Sequence, residues 1–205
     1  ADAFTYRDEA WQAAYPGQVL LRASAEGVPM VLWFVAKDRF TGPCDDIYAW
    51  QTFGLLRSRA VALAAAACPL NPLGSYDAPT ANLPKPALDA FRTAQEQLRG
   101  LSFERVLEPA LTGSSQVEAY RFRHPLSGAY RLAAFTDSGE RLGRRGPGGV
   151  QPTPVVRSLR LGPGLLPDWT GRVRLTDHLG VSTLREGATV DVDLSEAPLY
   201  VEAVP

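Results

Sequence analysis

Methionine, cysteine and histidine are nearly missing from this chain of 205 residues, which has one Met, two Cys and two His. His124 and His178 are far apart, and neither has a second ligand at a useful spacing, so no metal site can be read and both are assigned to strand ends or hairpins. Cys44 and Cys68 can pair or stay free, and two cysteines do not make a disulfide framework. No histidine lies near Cys44 in sequence, which argues against a catalytic thiol. An excess of one charge is missing too. Lys and Arg number 21 against 22 Asp and Glu, a formal net charge of -1, whereas binding to a polyanion rests on clustered cations. Nucleic acid is therefore not an expected partner. The one basic cluster, Arg141-Leu-Gly-Arg144-Arg145-Gly146, lies among glycines and reads as a solvated turn.

Long apolar runs are absent as well. Crossing a bilayer takes roughly 18–20 apolar residues, and the longest candidate, 60–68, is short and followed by Pro69. No membrane span is expected. No basic region precedes an apolar stretch near Ala1, so no signal peptide is visible. The compartment stays open, with a secreted or cell-surface location compatible with paired cysteines. Apolar residues at 45% and charged residues at 21% are ordinary for a globular chain.

The two halves differ in texture, which predicts a boundary near residue 101: one domain over 1–101 and a second over 102–205. The first half carries helix-period segments and three of the four Trp. Thr5 and Asp8 have the spacing of a capping box. Trp11, Ala14, Tyr15, Val19, Leu20 and Ala23 give a rough apolar stripe. Pro16 lies inside it and predicts a kink or a break; Gly27 ends the element. Residues 28–35, Val-Pro-Met-Val-Leu-Trp-Phe-Val, form a nearly continuous apolar run, the pattern of a strand buried on both faces, with Pro29 tolerable only at its start. A loop follows with Asp38, Arg39, Asp45 and Asp46. Residues 57–68 are Ala-rich and predict a helix, and 71–85 read as loop. A further helix is predicted over 86–98, with Pro86 in its first turn, Ala87, Leu88, Phe91 and Leu98 on one face, and Gly100 as its stop.

The second half reads as short strands at 117–123, 129–136, 155–161, 173–177, 181–185, 189–194 and 199–204. Gly- and Pro-rich turns separate them, which predicts an antiparallel β-sandwich. The apolar side chains of 117–123 are expected on one face.

Five motifs occur in an order that resembles the end of a barrel glycoside hydrolase. Gly27-Val-Pro-Met-Val-Leu-Trp33-Phe34 looks like the eighth strand of a (β/α)8 barrel, and Phe53-Gly54-Leu55-Leu56 like the short step after that strand's loop. Lys85-Pro86-Ala87-Leu88-Asp89-Ala90-Phe91 resembles the start of the last barrel helix. Val173-Arg-Leu-Thr176-Asp177-His-Leu179-Gly180 and Ala197-Pro198-Leu199-Tyr200-Val201-Glu202 are similar to a hairpin and the closing strand of the appended sandwich. The family set is the clan of retaining glycosidases related to cellulases and to β-xylosidase/iduronidase-type enzymes.

The resemblance implies an α/β plus all-β fold: the C-terminal end of a (β/α)8 barrel over 1–101, then the sandwich over 102–205. It implies a carbohydrate partner, no cofactor, no metal and an upstream part of the same polypeptide. Retaining enzymes use two carboxyl groups about 5–5.5 Å apart. The clan's acid/base and nucleophile glutamates would both precede Ala1. Glu9 and Glu26 are the only glutamates before Glu96. Glu9 sits where a carboxylate complements a helix dipole and Glu26 precedes a helix stop, so both read as surface structure. No catalytic residue is assigned, and this chain alone is expected to be inactive.

Trp33, Asp38 and Trp50 are the candidate substrate-binding residues. A Trp at the C-terminal end of a barrel strand can present its flat face to a sugar, although a Trp in an apolar run commonly fills core volume. Phe53 and Trp50 divide evenly between loop packing and a subsite wall. Asp38, Asp45 and Asp46 can accept from sugar hydroxyls or hold Ca²⁺, but a solvated loop is the simpler state. Trp169 reads as structural, and Ser24, Ser114 and Ser115 lie in no nucleophile elbow. The alternative function is a non-catalytic carbohydrate-binding or structural sandwich module, which an exposed row of aromatics would favour; Tyr120, Phe122, Tyr130 and Phe135 are too regularly placed in strands for that. On this division 102–205 alone should be soluble. The whole chain should be aggregation-prone or depend on another chain, because a barrel strand without neighbours exposes its edges.

Overall fold

The computed structural model describes residues 9–33, 55–56, 84–137 and 155–205. It is a mixture of helix and sheet, with most strands in one large antiparallel sheet.

Helix α1 spans Glu9–Ala25. It stops where the sequence places a glycine: Gly27 has φ +67°, Val28 N–H donates to Ala23 O, and Gly27 N–H donates to Ser24 O. Those two bonds satisfy carbonyls left open by the last turn, and only glycine takes the left-handed conformation there without strain. Pro16 does not end the helix. Packing supplies the difference, since Ala13, Ala14 and Leu21 are buried and α1 lies along the second helix over much of its length. Thr5 and Asp8 fall outside the described residues.

Helix α2 spans Pro86–Leu98, with Pro86 in its first turn and Gly100, at φ +71°, just past its end. Its deepest positions are the small ones, Ala87, Ala90 and Ala94, which let the two helices approach closely. Residues 57–68, expected as a helix, lie outside the described residues.

The strands are β1 Ser102–Val106, β2 Val117–Arg123, β3 Tyr130–Thr136, β4 Arg157–Leu161, β5 Arg172–Thr176, β6 Ser182–Glu186, β7 Val190–Leu194 and β8 Leu199–Ala203; a one-turn helix, α3, occupies Pro109–Thr112. The first six-stranded sheet runs β1-β2-β3-β8-β5-β6, and β4 pairs with β7 in a second, smaller sheet. Every ladder is antiparallel. All seven strands expected from the sequence are present within a residue or two. β1 is additional, and a bulge between Phe103 and Arg105 breaks its alternation.

Residues of one parity on the large sheet, among them Val117, Ala119, Leu132, Ala134, Val173 and Val201, share a core with Leu159, Leu161, Val190 and Leu194 of the small sheet. That is the sandwich. Residues of the other parity, Tyr120, Phe122, Ala133, Phe135 and Tyr200, form a second core with Leu21 of α1 and Ala94 of α2. The single apolar face expected of 117–123 is therefore two faces. The sheet is the middle layer between a smaller sheet and a helix pair. This also revises the expectation for 102–205, because on its own that segment would present an aromatic sheet face to water.

Two arginines fasten the helices to this sheet. Arg22, in the last turn of α1, donates twice to the Glu118 carboxylate on β2, at 3.0 and 2.5 Å, and its guanidinium lies 5.3 Å from the Phe135 ring centroid. Arg131 on β3 donates to Gln97 O at 2.6 Å, near the end of α2. Its other terminal nitrogen pairs with Glu202, which also accepts from Arg174 at 2.5 Å. No basic residue occurs in the last turn of α2, so Arg131 supplies from the sheet the positive charge that the helix dipole favours.

Residues 28–33 depart from expectation. They join no sheet among the described residues. Val28, Met30 and Leu32 are 47, 69 and 81% exposed, whereas Val31 and Trp33 are half-buried. Val28, Pro29 and Met30 are exposed in a row with a bend at Pro29, and a two-residue alternation holds only from Met30 to Trp33. Residues 34 and 35 fall outside the described part.

Candidate functional site

Trp33 is the one candidate substrate-binding residue within the described structure; Asp38 and Trp50 lie outside it, as do Phe53, Asp45, Asp46, Cys44 and Cys68. The Trp33 ring sits between two helices. Its centroid is 5.8 Å from that of Tyr15 on α1 and 6.1 Å from that of Phe91 on α2, both edge-to-face, at 64° and 63°. Edge-to-face pairs at such distances bring the positive rim of one ring to the negative face of another. Tyr15 lies ten positions before the end of α1, roughly 15 Å of helix. The segment after α1 therefore returns beside the helix pair to bring Trp33 to Tyr15 and Phe91. Much of the Trp33 ring is used in holding it there, and the residue is half-buried.

Leu56 makes an isolated antiparallel bridge with Pro84, and Lys85 N–H donates to Leu55 O at 2.9 Å. The Gly-Leu-Leu step and the Lys-Pro-Ala start of α2 are thus joined, two motifs the sequence could only list in order. Lys85 is buried, and its Nζ lies 3.3 Å from Gln12 Oε1 of α1. Nothing in the Lys-Pro-Ala motif marks that lysine as an interior residue.

The hairpin motif is placed against α2 as well. Asp177 Oδ1 accepts from Leu179 N–H and Val181 N–H, both at 2.9 Å, and fixes the β5–β6 turn. Gly180, at φ +91°, brings its backbone so near α2 that a Cβ would lie 3.1 Å from Thr93 Oγ1. His178, in the same turn, has its pKa lowered by burial, against a smaller opposing pull from Asp177. His124 Nδ1 accepts from Ser127 N–H across the β2–β3 turn. Both histidines serve turns, as expected.

Several other polar groups among the described residues serve the structure. Ser24 Oγ donates to Leu20 O within α1, and Ser114 Oγ accepts from Gln116 N–H. Asp168 Oδ2 accepts from Tyr130 N–H at 2.8 Å. Arg121 pairs with Glu104 and donates weakly to Leu165 O, with its guanidinium 5.3 Å from the Tyr130 ring centroid. Tyr120 Oη donates to Glu118 at 2.5 Å, and its pKa is pushed up, first by burial and then by that carboxylate. Tyr200 is pushed up by burial alone.

Among the described residues no group of three or more His, Cys, Asp or Glu is arranged to hold a metal ion, and no helix is long and apolar enough to cross a membrane. Tyr120, Phe122 and Phe135 are buried and Tyr130 is half-buried, so these strand aromatics do not form an exposed sugar-binding row. No protein-family model matches the chain, and no curated protein matches it in sequence.

Proposed function

We propose that this chain is the C-terminal part of a retaining glycoside hydrolase acting on a polysaccharide or glycoside, with 28–33 as a barrel strand and the sandwich packed outside the last barrel helices. The observation that carries the reading is the 28–33 segment. It is apolar, anchored through Trp33 to α1 and α2, and joined to no sheet among the described residues, with Val28, Met30 and Leu32 exposed. A barrel strand has this two-sided character: one set of side chains meets the surrounding helices and the other fills the barrel interior. Edge strands on either side would complete it, and the proposal assigns them to polypeptide preceding Ala1.

In that setting the chemistry belongs to two upstream glutamates, one protonating the leaving group and one forming the glycosyl intermediate. This chain would supply part of the substrate wall at the strand's C-terminal end, from Trp33, Asp38 and Trp50. The rival reading, a carbohydrate-binding sandwich without catalysis, lacks an exposed aromatic row on the strands named above. The test is the longer gene product. On a panel of aryl glycosides it should release the aglycone and a sugar of retained anomeric configuration, and a 2-fluoroglycoside trap should label a glutamate outside these 205 residues. The 205-residue chain alone should release none. Turnover by this chain alone, an inverted product, or no turnover by the longer protein across the panel would overturn the proposal.

A further inference from the structure

We draw no further inference here: the strongest candidate, the exposed apolar row of Val28, Met30 and Leu32 on the segment after α1, belongs to the proposed function already, and nothing in the structure shows what else covers it.

Discussion

Replacing Gly17 with alanine separates helix propensity from packing, because the two push in opposite directions. In an exposed helix interior, glycine to alanine stabilises by about 1 kcal/mol. Gly17, however, faces β8. A Cβ there would lie 2.8 Å from Pro198 Cγ and 2.9 Å from Tyr200 Oη. The proline ring is stiff, and the Tyr200 ring is fully buried, so neither can swing aside without moving its neighbours. Forcing a methyl into such a contact costs about 1–3 kcal/mol. After the propensity gain is subtracted, Gly17→Ala should lose about 1 kcal/mol, a fall in Tm of about 2–4 °C for a chain this size. Tyr200→Phe removes one of the two clashing atoms. It also removes a buried hydroxyl that has no hydrogen-bond partner, so alone it should be neutral or slightly stabilising. The double mutant should recover part of the Gly17→Ala loss. Thermal melts of the four proteins form the cycle. A rise in Tm for Gly17→Ala, or strict additivity with Tyr200→Phe, would refute the close approach of α1 to β8.

Three further outcomes follow from the same layers. A polypeptide of residues 102–205 alone should bind 1-anilinonaphthalene-8-sulfonate and aggregate, because Tyr120, Phe122, Phe135 and Tyr200 lose the cover of α1 and α2; a soluble, dye-silent, cooperatively melting 102–205 would contradict the helix-covered sheet. Phe135→Ala should cost about 3–5 kcal/mol, since that ring is fully buried, stacks on Tyr120 with centroids 6.0 Å apart and lies under Arg22; a denaturation midpoint unchanged within error would be inconsistent with it. Alkali should destabilise the fold. Tyr200 has its pKa raised by burial, so above about pH 10 the unfolded chain ionises first and stability falls by up to about 1.4 kcal/mol per pH unit. Tyr200→Phe should flatten that fall, as urea titrations at pH 9 and pH 11 would show.

Local signals made most of this architecture legible. Pro86 and Gly100 bracket α2 because each has a backbone constraint that acts within a turn. Gly27 stops α1 for the same reason. The sandwich strands could be read because turns interrupt them at short intervals. Side choice was harder. In β2 the order Val-Glu-Ala-Tyr-Arg-Phe-Arg places small apolar residues on one face and aromatics on the other, and only the two covering layers decide that both faces are buried. β1 was overlooked because its bulge breaks the period of two. Arg22 and Glu118 are 96 positions apart, and no pattern in sequence links them. Pro16 is the opposite case, since the break that its missing N–H permits is outweighed by tertiary packing. At the candidate site the sequence identified the apolar run 28–35 and its tryptophan. It gave no sign that Trp33 would be gripped by Tyr15 and Phe91, since that contact needs three elements in place.

Amide hydrogen exchange at Met30 to Leu32 tests the central claim most directly, with the 205-residue chain compared against a longer polypeptide carrying the preceding strands that the proposal requires. Those amides should exchange within seconds in the short chain, where the segment joins no sheet among the described residues, and become strongly protected in the longer one, where flanking strands would bond them. Equal, rapid exchange in both proteins would mean that 28–33 is an open surface segment, and the glycosidase proposal would fall with it.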